Sequence, residues 1–126
     1  MAYNVLIVDD SVIIRNMVAK TLQMTGVELG QMHYASNGET ALQILEDNWI
    51  DIVFADINMP VMDGEEMIRR MNDRDILSTV PVVVISTEQS RDKIGKLREL
   101  GISDYLTKPF MPEQFKEVVQ KHLERD

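Results

Sequence analysis

Five times along this chain a short apolar run gives way to a longer segment whose apolar residues recur at helical spacing. That alternation limits the fold more than any other feature. The spacing predicts strands over Val5–Val8, Met32–Ala35, Ile52–Ala55, Val82–Ile85 and, more weakly, Asp104–Leu106. It predicts helices over Val12–Met24, Gly38–Asp47, Gly64–Asp73, Gln89–Leu100 and Pro112–Leu123. Strand followed by helix without exception implies a parallel sheet with right-handed crossovers and helices on both faces. The expected architecture is a doubly wound α/β sandwich whose continuous apolar strands are buried on both sides.

Punctuation supports these boundaries. Ser11, Asn37, Asp63, Ser90 and Met111-Pro112 stand near the helix starts, and Gly26 and Gly101 follow two of the ends. No linker or repeat interrupts the pattern, so residues 1–126 read as one domain, long enough to bury roughly two-thirds of its unfolded surface. A net charge of −8 argues against broad binding to nucleic acid or anionic membranes, and no window approaches the roughly 20 apolar residues of a membrane span. Without an N-terminal signal pattern the expected location is cytoplasmic. The absence of cysteine excludes thiol chemistry, and His33 and His122 are too far apart for metal-ligand spacing, so any metal must be held by oxygen.

In a sheet of this kind ligands bind beyond the carboxyl ends of the strands. Strand 1 ends in Asp9-Asp10, strand 3 in Asp56 and strand 4 in Ser86-Thr87, while strand 5 leads through Thr107 to Lys108-Pro109. Strand 2 offers only Ser36. Topology therefore gathers three carboxylates, a hydroxyl and an ammonium group from distant parts of the sequence. Like charges about 4 Å apart cost on the order of 4 kcal/mol per pair at an effective dielectric near 20. Lys108 and a hard divalent ion can both offset that repulsion. A carboxylate nucleophile can form an acyl phosphate, and phosphoryl transfer mainly requires positioning and charge neutralisation.

Val8-Asp9-Asp10-Ser11, Asp56-Ile57-Asn58-Met59-Pro60-Val61-Met62-Asp63-Gly64, Ser86-Thr87-Glu88 and Lys108-Pro109-Phe110 together resemble a response-regulator receiver domain of two-component signalling. The likeness covers essentially the whole chain and is greatest to the stand-alone chemotaxis type. It implies a flavodoxin-like (βα)5 fold with strand order 2-1-3-4-5, and Asp56 as phosphoacceptor. It also implies Mg²⁺, or Mn²⁺ in its place, on Asp10, Asp56 and the Asn58 backbone carbonyl, with Asp9 acting through water. Ser86 becomes the switch hydroxyl, Lys108 the ion-pair partner of the phosphoryl group, and Tyr105 the aromatic that reorients. Asn58 and Glu88 flank the site, implying fast self-dephosphorylation, and the Lys108–Pro109 bond is expected to be cis.

The partners implied are a histidine kinase as phosphodonor, a target protein such as a flagellar motor switch component, and a dedicated phosphatase. The target is expected to meet the face of helix 4, strand 5 and helix 5, with the protein a monomer. Because the sequence stops soon after helix 5 at Asp126, output by direct binding is expected. Equally compatible is a receiver excised from a larger regulator or hybrid kinase. Two departures stand out: Gly26 to Tyr34 is long for the loop before strand 2, and Ile57 occupies a position where the chemotaxis regulators carry tryptophan.

Taken one at a time, these residues have plainer readings. Asp9-Asp10-Ser11 also suits a helix N-terminus, Asp56 a turn, Ser86 a cap and Lys108-Pro109 an ordinary turn. Met17, Met24, Met67 and Met71 have spacings suited to core packing, and Trp49 reads as structural at the far end of the sheet. Arg91, Lys93, Lys96 and Arg98 read as a solvated face of helix 4 or as a recognition patch for an acidic or amphipathic target segment. An aspartate-nucleophile phosphatase would place a second Asp as general acid where Asn58 stands. A flavodoxin-like cofactor site would meet repulsion from Asp9-Asp10.

Overall fold

The computed structural model describes residues 2–123; Met1 and residues 124–126, including Asp126, lie outside them. Ten elements alternate: β1 Tyr3–Val8, α1 Val12–Gln23, β2 Leu29–Ala35, α2 Gly38–Asp47, β3 Ile52–Ala55, α3 Gly64–Asp73, β4 Val82–Ser86, α4 Arg91–Leu100, β5 Asp104–Thr107 and α5 Pro112–Leu123. All strand pairs are parallel, in the order β2-β1-β3-β4-β5.

The side-chain period of two along each strand divides the core into halves. Val5 and Ile7 of β1, Ile52 and Phe54 of β3, and Val83 and Ile85 of β4 pack with Val18, Leu22, Phe115 and Val119 of α1 and α5. Leu6, Val8, Val53, Ala55, Val82 and Val84 face the other way, against Leu42, Met67, Ile68, Met71 and Leu97 of α2, α3 and α4. β1, β3 and β4 therefore have the double-sided burial expected of them. β2 and β5 do not, because they are the sheet edges: Gln31 and Tyr34 of β2 are exposed.

Four helix starts have their expected caps. The side chains of Ser11, Asn37, Asp63 and Ser90 accept hydrogen bonds from the N–H groups of Ile14, Thr40, Glu66 and Lys93. Because Ser90 is the cap, α4 starts at Arg91 rather than Gln89. Gly101 closes it in the left-handed conformation, φ 112°. α4 is thinly anchored, with Leu97 as its one buried residue and Gly95 in its interior.

Two expectations require correction. Met67 and Met71 are fully buried, but Met17 is 40% and Met24 76% exposed, since α1 turns its Val18–Leu22 stripe inward instead. The long segment before strand 2 is not loop: β2 begins at Leu29, and the extra residue forms an irregularity in pairing, Tyr3 opposite Leu29 but Val5 opposite Met32. Trp49 lies just before β3, away from the acidic site as expected; it is 77% exposed, its indole N–H donating to Asp51 Oδ1 at 3.0 Å.

Candidate functional site: an acidic pocket at the strand ends

The pairing ladder continues one residue beyond three strands. Asp9 N–H donates to the Ala35 carbonyl, Asp56 N–H to the Val8 carbonyl and Lys108 N–H to the Ser86 carbonyl, at 3.0, 3.0 and 2.8 Å. These bonds fix the backbones of Asp9, Asp56 and Lys108 to the rigid sheet. One carboxylate oxygen from each of Asp9, Asp10 and Asp56 falls within a group whose members lie within 4.8 Å of one another. Lys108 Nζ stands 3.5 Å from Asp9 Oδ2 and 3.7 Å from Asp56 Oδ2. The Lys108–Pro109 bond is cis, as the resemblance implies.

The acids differ in surroundings. Asp9 is buried, Asp56 half-buried and Asp10 exposed. Burial pushes the Asp9 carboxyl above its ordinary value; the Asp56 charge adds to the rise, while the Ser11 N–H and Lys108 oppose it. Asp9 Oδ1 accepts from Ser11 N–H at 2.9 Å, and Asp56 Oδ1 from Ile57 N–H at 2.7 Å. Those bonds set the carboxylate orientations. Hard oxygen donors without imidazole or sulfur suit Mg²⁺. The residues present thus fit the metal that the resemblance implies.

Ser86 is fully buried, its Oγ accepting from Glu88 N–H at 3.2 Å. Tyr105 is turned inward, donating to the Glu88 carbonyl oxygen at 2.7 Å. Burial, with the charges of Glu88 and Asp56, raises the Tyr105 hydroxyl above its ordinary value against the pull of Ser86, so it remains a neutral donor. The Glu88 carboxylate bonds toward α4, accepting from Ser90 N–H at 2.9 Å and lying 3.4 Å from Lys93 Nζ. Glu88 and Asn58 line one cavity of about 350 Å³ between α3 and α4.

Two contributors had no role assigned from sequence. Arg15 Nη1 donates to the Asp9 carbonyl at 2.6 Å; its signal was a cation one turn into the helix that follows the acidic pair. Gly64, read only as a helix start, lets α3 approach the backbone of Asp56. Its N–H donates to the Ile57 carbonyl at 2.7 Å, and a Cβ there would collide with the Asp56 carbonyl oxygen and lie 2.8 Å from Ile57 Cα. Gly64→Ala is therefore expected to cost about 1–3 kcal/mol, read from the urea midpoint. An unchanged midpoint would mean the close approach is not required.

An acidic pocket on a 2-1-3-4-5 sheet, facing a buried hydroxyl and an ammonium group, has the parts of a phosphoryl-accepting signalling domain. The chain matches the response regulator receiver domain over residues 5–120 and belongs to that family. Chemotaxis protein CheY of Pseudomonas aeruginosa is 32% identical over 121 residues, 96% of this chain and 96% of that protein. The protein-glutamate methylesterase/protein-glutamine glutaminase of Bacillus licheniformis is 41% identical over 107 residues, which are 83% of this chain but 29% of the esterase. The chemotaxis response regulator CheY4 of Vibrio cholerae shares the fold with a TM-score of 0.84 at 34% identity, over 98% of this chain and 100% of that one. Receiver domains are phosphorylation switches that take phosphate from histidine kinases and generally bind Mg²⁺ at an acidic pocket. No described helix is long and apolar enough to cross a membrane.

Proposed function

We propose that this chain is a switch that takes a phosphoryl group from a histidine kinase onto Asp56 and then binds a protein partner through the α4/β5/α5 face. The observation that carries the reading is the placement of Asp56 on the edge of β3, with Lys108 Nζ 3.7 Å away and the Asp9 and Asp10 carboxylates beside it. In the transfer a carboxylate oxygen of Asp56 bonds to phosphorus as the phosphorus–nitrogen bond of the donor histidine breaks, the nitrogen keeping the electron pair. Lys108 holds the charge of the incoming oxygens, and Ile57 N–H keeps Asp56 oriented. Asp10, Asp56 and the Asn58 carbonyl, with Asp9 through water, would hold Mg²⁺, which would supply neutralisation of the transferring oxygens. Asn58, where a phosphatase would need a carboxylic acid, supports a switch rather than an enzyme turning over an external substrate.

The added charge draws the Ser86 hydroxyl and Lys108 toward Asp56. Ser86 touches Glu88 N–H and Tyr105 touches the Glu88 carbonyl, so both meet at the segment leading into thinly anchored α4. Phosphorylation shifts α4 only by its differential affinity for two arrangements, both present beforehand. The cytoplasmic chemotaxis role, with a flagellar motor switch component as target and a dedicated phosphatase, is supported by the near full-length match to CheY of Pseudomonas aeruginosa. A second reading, that residues 1–126 are the receiver of a longer regulator, is favoured by the match to 29% of the esterase.

Acetyl phosphate with Mg²⁺ is expected to add one phosphoryl group, and excess chelator to prevent it. Intact mass decides: no addition with Mg²⁺, or full addition in chelator, overturns the proposal.

A further inference from the structure

Glu88 has every polar group engaged: N–H to Ser86 Oγ, carbonyl to the Tyr105 hydroxyl, and carboxylate to Ser90 N–H and Lys93 Nζ. Ser90 N–H and Lys93 hold the carboxyl below its ordinary range, so it stays an anion at neutral pH. The side chain is 24% exposed and, with Lys93, lines the same cavity as Ile57 and Asn58, the two residues that follow Asp56. The Glu88 main chain is fixed by the switch contacts, and its carboxylate is tied to the start of α4.

We infer that Lys93 is a positioning residue for loss of the phosphoryl group, holding the Glu88 carboxylate on α4 and away from the water that attacks phosphorylated Asp56. The inference rests on the receiver reading above. In the hydrolysis, a water oxygen bonds to phosphorus, the bond from phosphorus to the Asp56 oxygen breaks, and Asp56 recovers its carboxylate as inorganic phosphate leaves. The water must shed a proton as it attacks. A carboxylate released into the cavity can accept a hydrogen bond from that water and align it. With Lys93 in place, Glu88 is occupied elsewhere and the phosphorylated state lasts longer. The Lys93 side chain is 69% exposed, so the restraint is modest and sensitive to salt. It lies outside the Asp9, Asp10, Asp56 and Lys108 group, so uptake of the phosphoryl group does not depend on it.

The test loads the full chain with acetyl phosphate and Mg²⁺, removes the donor, and follows decay by intact mass. Lys93→Ala is expected to load as wild type does and then decay about threefold faster, the size of effect a weak surface pair can carry. Lys93→Arg should keep the wild-type rate. In a Glu88→Gln background Lys93→Ala should change nothing, a dependence that mere loosening of α4 would not show. Decay of Lys93→Ala at or below the wild-type rate, or equal acceleration with Glu88→Gln, overturns the inference while leaving the receiver reading intact. A wild type that never loads overturns both.

Discussion

Asp56→Asn is expected to take up no phosphoryl group under conditions that load the wild type fully, and to be the more stable protein when chelator is present. The first effect follows from losing the carboxylate nucleophile, the second from losing its charge. Asp9, Asp10 and Asp56 bring three negative charges together, and Lys108 returns one positive charge. The pocket is thus left electronegative, which serves cation and phosphoryl binding at the expense of the unliganded fold. An amide at position 56 keeps an oxygen for the Ile57 N–H bond but removes one charge from the repulsion. Allowing for the exposure of Asp10 and for screening, the gain is about 1 kcal/mol, or about 4 °C in Tm for a domain of this size. Intact mass after acetyl phosphate reads the first effect, and calorimetry with and without Mg²⁺ reads the second. Undiminished labelling would remove Asp56 from the acceptor role; a lower Tm in chelator would show that Asp56 is held in the fold by more than it repels.

Phe115→Ala is expected to be the most damaging core substitution, at about 3–5 kcal/mol. The ring is fully buried and stacked between Phe54, 5.1 Å away, and Phe110, 5.5 Å away. Phe54 lies on β3 two residues before Asp56, and Phe110 follows the Lys108–Pro109 turn. Deleting the ring therefore unsupports the acceptor and its ammonium partner from below. Against a total stability of about 5–15 kcal/mol, the variant would be left marginal at growth temperature. Urea unfolding should be followed by circular dichroism, because Trp49 is already in solvent and its emission is a poor reporter. A loss under about 1 kcal/mol would place the stack outside the energetic centre of the core.

The pocket was legible because parallel topology makes strand ends meet. Asp9, Asp10, Asp56, Ser86 and Lys108 each follow an apolar run, and no other arrangement of five parallel strands needs to be known to bring them together. What sequence could not show was direction within a helix or loop. Met17 and Met24 stand seven residues apart and Met67 and Met71 four, both helical spacings, yet only the latter pair face the sheet. Helical period fixes which residues share a stripe, not which stripe is turned inward. Glu88 was read as a neighbour of the site, but its contact with Lys93 arises from the Ser90 cap and the first turn of α4. Gly64 and Arg15 act through backbone carbonyls, which carry no residue code at all.

The irregular pairing at the start of β2 also separates the two ends of the sheet. The extra residue is taken up by Asn4, whose Oδ1 accepts from Gln31 N–H at 2.8 Å and whose Nδ2 donates to the Trp49 carbonyl at 3.0 Å. From Val5 and Met32 onward the register is regular, and Val8 still faces Ala35. The shift is complete at Val5, four residues before the ladder reaches Asp9. Length can therefore vary at one pole of the sheet while the other keeps its dimensions, which makes the turn at Gly26, where a Cβ would meet nothing within 4 Å, a place to graft a tag or a sensor loop without retuning the chemistry.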